Sequence, residues 1–204
     1  MSRLKKHSDF AAKNADWRGK GQADRESRIF YRHLVPVHNS HMTTDQITIR
    51  RVHPDDDAQL ADLIKIVMTE IGAIGEGYSI NDLEVQAMSQ NYLGPEAGYL
   101  VLTNGSEVVG GGGFAHLIGA PDNVCELRKM YFLPQVRGLG KAQEMLNLIF
   151  DQAKAAGYTK MYLETIVGAD KAIALYERNG FRKISCPQGN TGHSGCDTFY
   201  ERGL

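Results

Sequence analysis

Between residues 47 and 203 the apolar positions repeat now with a period near two, now near 3.6, and each change of period marks an element. ITIRRV at 47–52 predicts a strand, stopped by His53-Pro54 because proline keeps its predecessor out of helical backbone. Asp55-Asp56-Asp57 offers an N-cap and first-turn acids to a helix whose apolar stripe is Leu60, Leu63, Ile64, Val67, Met68 and Ile71. The glycine-rich stretch 72–77 breaks that helix, and a second short helix is expected over about 82–90. GYLVLT at 98–103 and residues 107–117 read as the strands of a hairpin turned at Asn104-Gly105. Four consecutive glycines at 110–113 weaken the second as a plain strand and suggest a bulge or the close approach of another group. Residues 124–133 form the next strand. A helix follows on Leu139, Ala142, Leu146, Ile149, Phe150 and Ala153 and ends at Gly157. A strand at 160–166, a helix at 170–178 stopped by Asn179-Gly180, and strands at 181–185 and 197–202 complete the pattern. This order predicts a mixed α/β sheet with helices on both faces.

Composition agrees with a folded domain: 204 residues, 42% hydrophobic and 23% charged, enough to bury a real core. No apolar run reaches the roughly 18 residues that span a bilayer, so no membrane association is expected. The N-terminus lacks the apolar core of a secretory signal. Three cysteines, Cys125, Cys186 and Cys196, are too few for a disulfide framework and favour a cytoplasmic setting. Charge is nearly balanced, 23 Lys+Arg against 24 Asp+Glu, and no nucleic-acid partner is expected of the chain as a whole. The balance hides a split. Residues 1–41 carry nine Lys/Arg and four Asp/Glu, whereas 42–204 carry fourteen and twenty. The first stretch reads as a basic, disordered tail or a non-native extension without a catalytic role; Asn39-Ser40-His41-Met42 has the look of a cloning junction. The functional domain is expected to begin near Met42 and run to 204.

The most informative segment is the strand–loop–helix at 124–153. Arg137-Gly138-Leu139-Gly140-Lys141-Ala142 places small residues where a helix begins, so that unpaired backbone N–H groups at the positive end of the helix dipole can meet a diphosphate. Glycine at 138 and 140 lets oxygens approach without a Cβ in the way. The loop is neither a Walker A motif nor a Rossmann fingerprint. A tight strand-to-helix turn with no ligand is the plain alternative.

Arg137, Gly140 and Ala142 resemble motif A of the GNAT acetyltransferase superfamily, Arg/Gln-x-x-Gly-x-Gly/Ala, with Pro134 three residues ahead. Downstream, Leu175-Tyr176 and Gly180-Phe181 resemble its LYxxxGF motif at a compatible distance, over a likeness spanning about 46–203. A narrower resemblance, to small bacterial acetyltransferases of the YjgM type, rests on Cys125–Pro134, the four-glycine run, and Thr191-Gly192-His193 with Cys196-Asp197. The resemblance implies a splayed central sheet of about seven strands and acetyl-CoA as acetyl donor. It also implies an amine acceptor, a diphosphate held by Arg137, Gly138, Leu139, Gly140, Lys141 and Ala142, and a pantetheine arm along Met130, Tyr131 and Phe132. A homodimer is left open. One departure is Ala169, where many relatives carry an asparagine facing the cofactor.

Amine acetylation needs two proton transfers. An ammonium must lose a proton to become a nucleophile, and the departing thiolate must gain one. Glu126, six residues before Phe132, is the candidate base, its alternative being an ion pair with Arg128; Glu164 on the next strand is the reserve. Tyr176 is the candidate acid, with an unperturbed pKa of about 10. Cys186, His193 and Cys196 have no zinc-module spacing, so no metal is expected; His193 is a possible acceptor contact. The competing readings are an acetyl-CoA-binding sensor without turnover and a nucleic-acid-associated protein acting through residues 1–41.

Overall fold

The computed structural model describes residues 46–204; the basic segment 1–41 and the expected domain start at Met42 lie outside the described residues. Seven strands form one sheet: β1 (Ile47–Arg51), β2 (Gly98–Asn104), β3 (Glu107–His116), β4 (Val124–Phe132), β5 (Lys160–Thr165), β6 (Arg182–Ile184) and β7 (Thr198–Gly203), in the order β1-β2-β3-β4-β5-β7-β6. Every neighbouring pair is antiparallel except β4 and β5. That parallel pair needs a crossover, and helix α3 (Lys141–Ala155) supplies it.

Helix α1 (Asp57–Glu70) buries Leu60, Leu63, Ile64, Val67 and Met68 against Tyr99, Val101 and Val108 on one face of the sheet. Met145, Leu146, Ile149 and Phe150 of α3 pack on Leu100, Leu102 and Phe114 of the other, joined by Tyr176 of helix α4 (Asp170–Arg178). Odd residues of β2 therefore serve one core and even residues the other, as strand alternation requires. The short helix α2 (Met88–Asn91) is all that remains of the helix expected over 82–90, the rest being a 3₁₀ turn at Leu83–Gln86 preceded by another at Ser79–Asn81. Leu83 is 93% exposed, so the apolar pattern there lacked a buried stripe to propagate a helix. Ile71 and Leu139 lie just outside α1 and α3, both exposed.

The four glycines sit inside a ten-residue strand whose register shifts against both neighbours, so the expected irregularity is there. A Cβ on Gly110 or Gly112 would collide with Phe132 or Met130, and one on Gly111 or Gly113 with the Tyr99 side chain. Large side chains lie flat across this stretch on both faces.

Candidate active site

β4 and β5 pair only at Val124–Glu126 with Lys160–Tyr162, after which they diverge while β5 stays paired to β7 as far as Thr165–Thr198. The gap so opened is part of a cavity of about 910 Å³. It runs from the start of α3, through the β4 edge from Glu126 to Phe132, to a wall made by Tyr78, Ser79, His193 and Cys196.

At one end Pro134 turns the chain into a 3₁₀ turn, and Gly138 (φ 81°) and Gly140 (φ 77°) adopt left-handed backbone that admits glycine most readily. Gly140 is the N-cap of α3 and provides no side-chain cap. The amides of Gln143 and Glu144 bond back to its carbonyl, while those of 138–142 meet no acceptor among the described residues. Space around both glycines is open. Arg137, Gly138, Gly140 and Ala142 line the cavity together with Gln143, Gly168 and Lys171, whereas Leu139 and Lys141 do not. Lys141 reaches Glu144 at 2.8 Å. Arg137 forms a two-pronged pair with Glu70, both contacts 2.7 Å, and its Nε donates to the Phe132 carbonyl at 2.8 Å. That guanidinium holds the Glu70 carboxyl below its usual range.

At the gap, Glu126 is 4% exposed and accepts a 2.7 Å bond from Arg128 Nε, so the alternative left open for it from sequence is realised. Glu164, across the gap, has no cation at hydrogen-bond distance among the described residues. It accepts from the Tyr162 hydroxyl at 2.7 Å and the Thr191 hydroxyl at 3.0 Å. Burial pushes its carboxyl above the ordinary glutamate value, the hydroxyl donors oppose the shift, and the nearby Glu126 charge adds to it. Tyr176 lines the cavity from α4, and burial pushes its phenol well up. Ala169 lies on the cavity wall as the N-cap of α4.

The sequence reading missed a charged network beside these groups. Lys129 is buried with Nζ 2.6 Å from Asp82 and 2.5 Å from Glu84, and Asp82 also meets His193 Nε2 at 3.0 Å. The partners lie 47 and 111 residues apart, and no spacing rule reaches that far. Burial opposes ionisation of Asp82, but bonds from His193 and Lys129 outweigh it and hold its carboxyl low; Asp82 in turn raises His193. His193, a possible acceptor contact from sequence, is thus a wall residue tied to the 3₁₀ region. The backbone reinforces the tie: the Gly195 amide donates to the Gly77 carbonyl at 2.9 Å, and Gly195 lies on the Tyr78 ring. Among the described residues no group of three His, Cys, Asp or Glu is placed to hold a metal ion, and no helix is long and apolar enough to cross a membrane.

A family model described as "Acetyltransferase (GNAT) family" matches residues 64–181. The chain is 40% identical over 150 residues to the uncharacterized N-acetyltransferase YjgM of Escherichia coli (strain K12), covering 73% of this chain and 90% of that one. Among solved structures, a GNAT-family acetyltransferase from Staphylococcus aureus Mu50 superposes with a TM-score of 0.69 at 23% identity, covering 78% of this chain and 99% of that one. The acetyltransferase yncA from Salmonella typhimurium, solved with its cofactor acetyl-CoA, gives a TM-score of 0.63 at 19% identity over 78% and 94% of the two chains.

Proposed function

Because the chain belongs to the GNAT acetyltransferase family, we propose that it moves the acetyl group of acetyl-CoA onto a primary amine of a small molecule or peptide by direct attack. The observation that carries this reading is the continuity of one cavity from the uncapped start of α3 to the carboxylates at the β4–β5 gap. At the first end the amides of Gly138, Leu139, Gly140, Lys141 and Ala142 hold the diphosphate. Arg137 turns to it from Glu70: the pair is half-exposed, and such pairs are worth only about 0–1 kcal/mol, less than a charge-assisted bond to phosphate. Met130 and Phe132, on either side of Tyr131, offer backbone to the pantetheine amides as an added strand would.

Acetyl-CoA supplies an activated acyl carbon at the gap. The amine nitrogen bonds to that carbon, the C–S bond breaks, the nitrogen gives up a proton and the thiolate sulfur gains one. Glu126 and Glu164 act as a base pair of carboxylates, with the proton arriving on Glu164, whose oxygens meet only hydroxyl donors. Tyr176 donates a hydrogen bond to the departing sulfur and relays to it a proton that solvent replaces; burial keeps that hydroxyl protonated throughout the working range.

A panel of amino acids, polyamines, aminoglycosides and lysine peptides with acetyl-CoA, read by thiol release, tests the reaction: turnover with at least one amine is expected. Gly140→Asp tests the binding end. Its Cβ meets open space, but φ 77° costs an aspartate about 1–2 kcal/mol, which an acid at a helix N-terminus partly offsets; circular dichroism checks that the fold is kept while charge repels the diphosphate. Acetyl-CoA affinity should fall about tenfold or more by calorimetry. Unchanged affinity overturns the assignment of the loop.

A further inference from the structure

The register between β3 and β4 slips in the middle of the glycine run. Gly111 faces Tyr131 and Gly113 faces Arg128, so the single residue Gly112 opposes both Lys129 and Met130. This is a bulge in β4, and it puts the side chains of two consecutive residues, Arg128 and Lys129, on one face. Lys129 adopts φ 47°, a left-handed conformation found at no other non-glycine residue among those described. Such backbone costs a lysine free energy and persists only where the surroundings over-determine it.

Two contacts do so. The Lys129 ammonium is bound by Asp82 and Glu84. Its carbonyl, displaced from the ladder, accepts a 2.8 Å bond from the Tyr99 hydroxyl. To reach that carbonyl the fully buried Tyr99 side chain passes over Gly111 and Gly113, where any Cβ would block it. The glycine run, the tyrosine and the left-handed lysine are parts of one device.

The bulge matters to the site because it sets the phase of everything after it. The Leu133 amide donates to the Val109 carbonyl at 2.9 Å. Alternation then turns the amides of Phe132 and Met130 away from β3, into the gap left by β5. The Arg137 bond to the Phe132 carbonyl lies on that side too. A ladder without the bulge would slip by one residue, turn these amides back to β3 and force Met130 and Phe132 off the face where they pack on Gly112 and Gly110.

We propose that Tyr99 and Lys129 are positioning residues, which hold the β4 bulge and thereby aim the backbone amides of the β4 edge at the thioester carbonyl. The proposal rests on the acetyl-CoA reading above and needs no knowledge of the acceptor. Its test compares binding of acetyl-CoA and of CoA by calorimetry, and records the carbonyl stretch of bound acetyl-CoA labelled with ¹³C at the carbonyl, on the full chain. In the parent the stretch moves to lower frequency on binding, as expected of a carbonyl accepting amide hydrogen bonds.

Tyr99→Phe removes one hydroxyl and keeps the ring. It should return the stretch towards its solution value and lower acetyl-CoA affinity about five- to tenfold, the scale of one hydrogen bond, with a smaller loss for CoA, which shares the pantetheine arm but lacks the carbonyl. Lys129→Gly tolerates the left-handed backbone and should keep more of the shift than Lys129→Ala. A merely structural role would lower melting temperature in both and move neither readout selectively. The proposal is overturned if folded Tyr99→Phe and Lys129→Ala both keep the parental stretch and the parental ratio of affinities. Failure of the parent to bind either CoA or acetyl-CoA overturns the cofactor reading itself, and this proposal with it.

Discussion

Glu126 and Glu164 carry the same carboxyl in opposite surroundings. The first is neutralised by Arg128, whereas the second is bonded only by neutral hydroxyl donors, with the like charge of Glu126 and, with a weaker opposing effect, His193 nearby. Burial, then Glu126, raise Glu164, so its basic form is lost at a higher pH than an ordinary glutamate's, and the acidic limb of kcat/KM should lie above about 4.3. Glu164→Gln should remove that limb and cut kcat/KM about 10²-fold, the usual scale for a general base. Glu126→Gln should instead move the limb down, by deleting the like charge. The reverse pattern would return the base role to Glu126. Tyr176→Phe keeps the packing against Phe181 and should lower kcat about 10²-fold with little change in acetyl-CoA affinity; a change in affinity alone would make Tyr176 a binding residue. At this scale the candidates were legible because Arg137, Gly140 and Tyr176 sit in local motifs. Their partners were not: that Arg137 pairs with Glu70 depends on a contact 67 residues away.

The loop between β6 and β7 and the segment from Gly77 to Gln86 hold each other across the cavity wall through His193–Asp82 and Gly195–Gly77. The charges facing His193 are Asp82, Glu126, Glu164 and Lys129. The folded pKa of His193 is raised, so its contribution is complete below about 6.5 and is lost as pH rises through the folded value. Asp82 is lowered, so its contribution is present above about 3.9 and lost only as pH falls through its depressed value. The tie is therefore strongest between those limits. Above the upper one, amide exchange at 190–197 should accelerate beyond the intrinsic rise with pH. His193→Gln should abolish that excess; persistence of the excess would place the switch elsewhere. Sequence periodicity located the long helices and strands, whose stripes of Leu, Ile and Val are local signals. It failed over 82–90, where Asp82 and Glu84 are committed to Lys129 on a distant strand and a continuous helix gives way to 3₁₀ turns.

In the whole molecule, the mixed sheet with helices on both faces followed from element order. The placement of β7 between β5 and β6 did not, because edge order depends on which strand can pair with β5 once β4 has diverged. The charge split has a consequence for the full chain. Residues 46–204 form a seven-stranded sheet whose edge strand β1 begins at Ile47, already buried. Residues 1–41 hold nine of the 23 Lys+Arg, and their removal leaves a domain with fourteen basic and twenty acidic residues. Deleting 1–41 should shift the melting temperature by less than about 2 °C, equivalent to no more than about 0.5–1 kcal/mol for a domain of this size, and leave acetyl-CoA affinity unchanged. Any salt-dependent binding of the full chain to DNA should vanish with the deletion, since an acidic domain releases no counterions from phosphate. A fall in melting temperature beyond about 4 °C would make the segment part of the working fold. Retained, salt-dependent DNA binding by 42–204 would show a basic surface on the domain that its net charge conceals.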